Sequence, residues 1–354
     1  MDGGAYAEEL HIACLAVQRA SLSTQLAAKT AARGALEKDD ASVVTIADFA
    51  AQALLIAAIH HQFPDDAFLG EESATALRSN PSLQDQIWDI VLSTRLDDPE
   101  SEALLATPSS KEEMLDIIDL GKKMIPDQGR GRFWILDPID GTSTFLKGQQ
   151  YAVCLALVED GKQKVGVLGC PNLAREKWSI PANLGDLSDY GLMLSAVAGE
   201  GAYARPMSLG NLAQARRLEQ LRDITDVKVL RFIESSTHPS ISPDKHRLVA
   251  EELGIPWPGT EVWAMQVKYA ALALGVGHVT VRIPPNKDFR PYVWDHAGGQ
   301  LVFEEAGGKL TDLAGKPFDF TAGVRFENNY GLVAAPVSVH GRVLEAVRKV
   351  LDSL

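Results

Sequence analysis

The stretch Phe133-Trp134-Ile135-Leu136-Asp137-Pro138-Ile139-Asp140-Gly141-Thr142 constrains this chain more than any other. A short apolar run bounded by Gly131 and Pro138 has the pattern of a buried strand. The strand ends in carboxylates. Pro138 removes a backbone donor and forces a turn, so Asp137 and Asp140 can converge with the Ile139 carbonyl exposed between them. Gly141 permits close approach of the backbone to a ligand, and Thr142 adds a hydroxyl. Two carboxylates and a carbonyl form an all-oxygen site, which suits Mg²⁺ rather than Zn²⁺. An Asx-type turn capping the next helix accounts for the same residues without any ligand.

Three further acidic positions bear on that choice. Asp48 opens a helix on the stripe of Ala51, Leu55 and Ala58, which points its carboxylate inward; a helix cap is the alternative role. Glu71 follows Gly70 at the end of an apolar run, where a chain edge can present it to a cleft. Asp295, in Trp294-Asp295-His296-Ala297-Gly298-Gly299, begins a helix whose small residues allow close packing. Each signal is weak by itself. Together they outline a carboxylate cluster.

Periodicity predicts helices over about Ala5 to Ala31, Ala47 to His61, Val262 to Val276 and Trp294 to Ala306. Strands are expected at Phe133 to Leu136, Val227 to Ile233 and His278 to Ile283. Tyr151 to Val158 and Val165 to Leu168 flank Asp160-Gly161, a hairpin signal. Arg95 to Ser110 is polar and reads as an exposed excursion. An α+β half followed by a layered α/β half is the expected organisation, with residues 1–205 carrying most of the acidic cluster and 206–354 contributing Asp295.

A formal charge of −13 argues against nonspecific nucleic-acid binding, which relies on excess Lys and Arg, and no basic stripe is present. No apolar run approaches the roughly 20 residues of a membrane span. Cys14, Cys154 and Cys170 are an odd set in apolar surroundings with no metal-ligand spacing, so buried reduced thiols are expected. Asp2, Glu8 and Glu9 do not fit a secretory signal. The expectation is a cytoplasmic protein, monomeric or weakly oligomeric, with no nucleic-acid or membrane partner.

Thr45-Ile46-Ala47-Asp48, Gly70-Glu71-Glu72-Ser73, Asp137 to Thr142 and Trp294 to Gly299 resemble, in order, the four signatures of the inositol monophosphatase superfamily. Within it the chain is most similar to the 3′(2′),5′-bisphosphate nucleotidases. Gly131-Arg132-Phe133-Trp134, Tyr151 to Leu157, Gln266 to Tyr269 and Phe303 to Gly308 support this. The resemblance implies a layered αβαβα fold and a lithium-sensitive phosphatase using two or three Mg²⁺ ions. Glu71, Asp137 and the Ile139 carbonyl would hold the first ion, and Asp137, Asp140 and Asp295 the second. Asp48 and Thr142 would orient or deprotonate the attacking water, helped by a third ion. Gly141 and Thr142 would meet the phosphate.

The implied substrate is a phosphorylated nucleotide, adenosine 3′,5′-bisphosphate, with its sulfated relative a further candidate. His238, Lys268 and Arg282 are the counterparts of the residues that surround the nucleotide. Two positions depart from the pattern: Met265 stands where a Ser is expected, and Ser143 where a Lys is usual. They keep open an inositol phosphate or another phosphorylated metabolite as substrate. A non-catalytic metal or nucleotide sensor is the alternative of a different class.

Overall fold

The computed structural model describes residues 4–29, 35–37, 43–122, 130–173, 190–235 and 241–353. The two alanine-rich runs form α1 (Ala7–Lys29) and α2 (Ile46–Gln62), with a small antiparallel hairpin of β1 (Ala35–Glu37) and β2 (Val43–Thr45) between them. Residues around most of α2 are buried, from Ile46 through Ile59. Small side chains let a helix be covered on nearly every side.

After β3 (Ala67–Gly70) come three helices, α3 (Pro81–Ser93), α4 (Pro99–Ala103) and α5 (Lys111–Leu120). The chain then runs through β4 (Arg132–Asp140), the short α6 (Thr142–Leu146), β5 (Ala152–Glu159), β6 (Lys162–Cys170), β7 (Leu192–Val197), β8 (Gly201–Pro206) and β9 (Arg216–Arg217). These strands and β3 form one seven-stranded sheet in sequential order. β3 is parallel to β4 and every later pair is antiparallel. Asp160 (φ 50) and Gly161 (φ 73) make the tight β5–β6 turn, as their sequence signals.

Alternation sorts the strand side chains between two cores. Trp134, Leu136, Val153, Leu155 and Leu157 pack toward α1 and α2. Phe133, Ile135, Ala152, Cys154 and Ala156 fill the opposite face. With both faces covered, β4 reads as one unbroken apolar run.

Past the sheet lie β10 (Ile233–Glu234), α7 (Pro243–Leu253), β11 (Thr260–Glu261), α8 (Met265–Ala273), β12 (Thr280–Arg282), α9 (Ala297–Glu305), β13 (Gly308–Thr311), β14 (Leu332–Pro336) and α10 (Val337–Asp352). α8 and α9 cover the second face of the large sheet. A three-stranded antiparallel sheet, ordered β12-β14-β13, follows. Leu332 and Ala334 of β14 face α8 and α9, while Val333 and Ala335 face α7 and α10. The succession is the expected αβαβα sandwich.

Some local expectations fail for physical reasons. Val227 to Ile233 is not a strand. The Asp226 carboxylate accepts from the Lys228 amide and turns Val227–Val229 into a 3₁₀ segment, so pairing begins only at Phe232. The helix expected from Val262, α8, starts at Met265 because Val262 is still extended, its amide donating to the Glu234 carbonyl. Residues 95–110 are not a loose excursion either. Leu96, Ser101 and Leu105 are buried, and the wholly buried Arg19 reaches across to Glu102, Thr107 and the Ala106 carbonyl. Cys14, Cys154 and Cys170 are buried free thiols, as expected. Among the described residues no helix is long and apolar enough to cross a membrane.

Candidate active site

The end of β4 builds the centre. Two residues three apart on a regular strand would face opposite sides of the sheet. Pairing with β5 slips between Asp137 and Asp140, and this bulge turns both carboxylates the same way. Their oxygens and one from Asp295 all lie within 4.8 Å of one another. The Asx-type turn coexists with this grouping, since Asp137 Oδ1 accepts from the Ile139 amide at 3.1 Å.

Gly141 (φ 92, ψ 43) is left-handed, and a Cβ there would stand 2.7 Å from Thr144 Oγ1 and 2.9 Å from Ala264 Cβ. The left-handed turn thus brings the backbone close to the residue preceding α8. That approach aims the start of α8 at the acidic group. The Gln266 amide donates to Asp140 Oδ2, and the Met265 amide also bonds this carboxylate. Exposed amides at a helix start favour a neighbouring negative charge.

Three other segments supply the remaining acids. Asp48 is both a cap and a site residue: its Oδ2 accepts from Thr45 N (2.8 Å) and Oγ1 (2.6 Å), while Oδ1 meets Thr142 Oγ1 at 3.4 Å. Thr142 Oγ1 also lies 3.2 Å from the Ile139 carbonyl. Glu71 follows β3, and Lys122 Nζ donates to its carbonyl at 2.7 Å. Asp295 is not a cap, because His296 occupies that position of α9 without a side-chain bond. Gly298 and Gly299 supply the close packing expected of them: a Cβ on Gly299 would meet Gln266 Oε1 at 2.3 Å.

Two glutamines to which the sequence assigned no role hold these turns. Gln52, buried in α2, accepts from Glu72 N (3.0 Å) and donates to Glu72 O (2.8 Å) and Ile118 O (3.1 Å). Gln266, buried at the start of α8, donates to Trp294 O (2.7 Å) and accepts from Gly299 N (2.8 Å). Each clamps the backbone beside one acidic residue. The hint of such a role was a polar residue in an otherwise apolar helical segment, and for Gln266 its place in the Gln266 to Tyr269 stretch that supports the family resemblance.

Electrostatics join the five acids into one unit. Burial, then Glu71, Asp140, Asp295 and Asp48, push the Asp137 carboxyl well above the ordinary range. Burial chiefly raises Asp140 to about 6, against the pull of the Gln266 and Met265 amides. Asp295 rises to about 8 from burial and the Asp140 charge, with Arg282 and Arg325 opposing. Crowded carboxylates that resist ionisation, with only oxygen donors, fit a hard divalent cation.

Beside this cluster, Lys268 and Arg282 line one narrow cleft with Ser235, Met265 and Trp263. Burial and Arg282 lower Lys268 to about 7, with Asp140, Glu234 and Glu261 opposing. The Arg282 guanidinium lies 4.8 Å from the Phe289 ring centre. His238 lies outside the described residues. Ser143 sits partly exposed in the first turn of α6.

The model of the inositol monophosphatase family matches residues 5–352. The 3′(2′),5′-bisphosphate nucleotidase of Emericella nidulans is 42% identical over 352 residues, covering 98% of this chain and 99% of that protein. That of Schizosaccharomyces pombe is 40% identical over 348 residues, covering 97% and 95%. Among solved structures, the Thermotoga maritima IMPase superposes with a TM-score of 0.61 at 18% identity, covering 98% of this chain and 99% of that one. Staphylococcal IMPase-II with bound inositol monophosphate gives 0.58 at 18% identity, covering 99% of each chain, so these two likenesses concern the fold. The family match across nearly the whole chain, the curated relatives and the five-layer fold agree: this chain belongs to the inositol monophosphatase family.

Proposed function

We propose that the protein is a Mg²⁺-dependent, Li⁺-sensitive phosphatase that removes the 3′-phosphate of adenosine 3′,5′-bisphosphate, leaving AMP, and that also accepts the sulfated relative. The observation that carries this reading is the convergence of four other acids, Asp48, Glu71, Asp140 and Asp295, on Asp137. The substrate rests on the curated relatives, which are named bisphosphate nucleotidases and align almost end to end.

In this reading Glu71, Asp137 and the Ile139 carbonyl hold one ion, and Asp137, Asp140 and Asp295 a second. Bound divalent cations would acidify water and offset the charge of phosphate and leaving oxygen. Thr142 and Asp48 have the protein's own part in the chemistry. With its proton directed to Asp48 or the Ile139 carbonyl, the Thr142 oxygen accepts from the attacking water and fixes its direction. Asp48, already tied down by Thr45, is the base behind it. Gly141 and Thr142 meet the phosphate, while Lys268, Arg282 and His238 meet the rest of the nucleotide. Residues 1–205 and 206–354 act as two parts, the second bringing Asp295 and the cleft. Three buried free thiols support a reducing compartment, the cytoplasm.

Met265 need not signal another substrate, since its backbone amide makes the Asp140 contact whatever the side chain. Phosphate release from adenosine 3′,5′-bisphosphate, AMP and inositol 1-phosphate, with and without Li⁺, tests the proposal. Li⁺-inhibited release from the bisphosphate, with AMP as product, is expected. Faster release from the inositol ester would overturn the substrate.

A further inference from the structure

One side chain beside the cleft has no part in the chemistry above. Trp263 keeps 42% of its surface exposed, whereas Trp134 and Trp294 are buried. It lines the same cleft as Lys268 and Arg282. Ala264 between them is extended (φ −75, ψ 136), so Trp263 and Met265 are alternate residues on one side of the chain. Ile241 adds to this apolar wall. The cleft is thus lined by aromatic and aliphatic side chains as well as cationic ones. The cleft is too small to enclose a purine, and the exposed indole offers a flat apolar surface beside it.

We propose that Trp263 is the stacking platform for the substrate's base and sets the preference for a nucleotide over a base-free phosphate ester. The inference rests on the nucleotidase reading and deepens it. An indole face stacks on any nucleobase, and Met265 beside it is a soft apolar neighbour. Lys268 and Arg282 hold anionic oxygens while the base lies on the apolar wall. This division gives Met265 a use that a serine would not serve. Trp263 touches the base and not the reacting atoms, so it is a specificity residue.

The test compares adenosine 3′,5′-bisphosphate with the methyl riboside 3,5-bisphosphate, which keeps the sugar and both phosphates but lacks a base. Trp263→Ala and Trp263→Phe are assayed beside wild type in saturating Mg²⁺. Trp263→Ala should raise KM for the nucleotide about tenfold, on the scale of one base–aromatic stack, with kcat unchanged. Trp263→Phe should recover most of that loss, and KM for the base-free ester should not move. AMP should quench the wild-type indole fluorescence, and Trp263→Phe should lose that quench. An unchanged nucleotide KM, or equal weakening of both substrates, overturns the stacking role while leaving the nucleotidase reading intact. Wild type that hydrolyses neither ester overturns the nucleotidase reading and this inference with it.

Discussion

Asp140 concentrates the site's constraints in one carboxyl group: it is buried, shares the site with Asp137, Asp295 and Glu71, and accepts amides from the start of α8. Asp140→Asn removes a charge at nearly constant volume. Turnover should fall by about a hundredfold or more, the scale of losing one preorganised charge-stabilising group. The metal-free variant should melt no lower than wild type, because a buried like-charge repulsion is relieved. A lower melting temperature would mean Asp140 supports the fold more than the chemistry. Gln266 has the opposite balance. Gln266→Leu keeps the volume but strands Trp294 O and Gly299 N, each at about 1–3 kcal/mol. Chemical denaturation should show a loss of roughly that size, with activity reduced because Asp295 loses its clamp.

At the level of elements, the centre is a meeting of ends: the bulged end of β4, the edge after β3, the start of α2 and the turn before α9. The acidic motifs were legible because Asp137, Glu71 and Asp295 each follow a Gly, Pro or apolar signal that marks an element boundary. The bulge was not, since a register slip depends on the partner strand and leaves no periodicity in β4 itself. Gln52 and Gln266 were illegible for a related reason. A polar residue on a helix reads as solvent-facing until the element packed against it is known. Val227 to Ile233 misled because Asp226 captured the local amide and turned its first half into a 3₁₀ segment, leaving only its end to pair. Lys268 lies in the first turn of α8, two residues past the Gln266 amide that bonds Asp140. Lys268→Ala should raise KM for the bisphosphate by about tenfold or more, while kcat changes less, the loss expected of one charge-assisted contact. An unchanged KM would make Lys268 a residue of the cleft wall only.

Across the whole molecule, the five layers close two helical faces against one large sheet and so bury the acids that the chemistry needs. The order of layers came from the family resemblance, since periodicity indicated only an α+β half followed by alternating strands and helices, and the cores' sharing of the large sheet left no local signal. Burial has a pH signature. In the metal-free fold, Asp140 and Asp295 titrate near 6 and 8, far above an unfolded carboxylate near 3.9. Groups raised this way stabilise the fold below about pH 4 and lose that contribution as pH rises through 6 and 8. Divalent ions compete with those protons. The gain in melting temperature on adding Mg²⁺ should therefore widen from about pH 6 to about pH 8. Because other buried titrating groups are present with and without the metal, the difference isolates the acidic cluster. A gap independent of pH would place the metal elsewhere.

The direct test is the initial rate of phosphate release from adenosine 3′,5′-bisphosphate across a Mg²⁺ titration, after removal of divalent ions with a chelator. The wild-type rate should be lost without metal and return saturably with Mg²⁺, while Asp140→Asn stays about a hundredfold or more below it at saturation. Chelator-treated wild type that works at full rate, or an Asp140→Asn variant that matches it, would show that the five acids are not the catalytic centre.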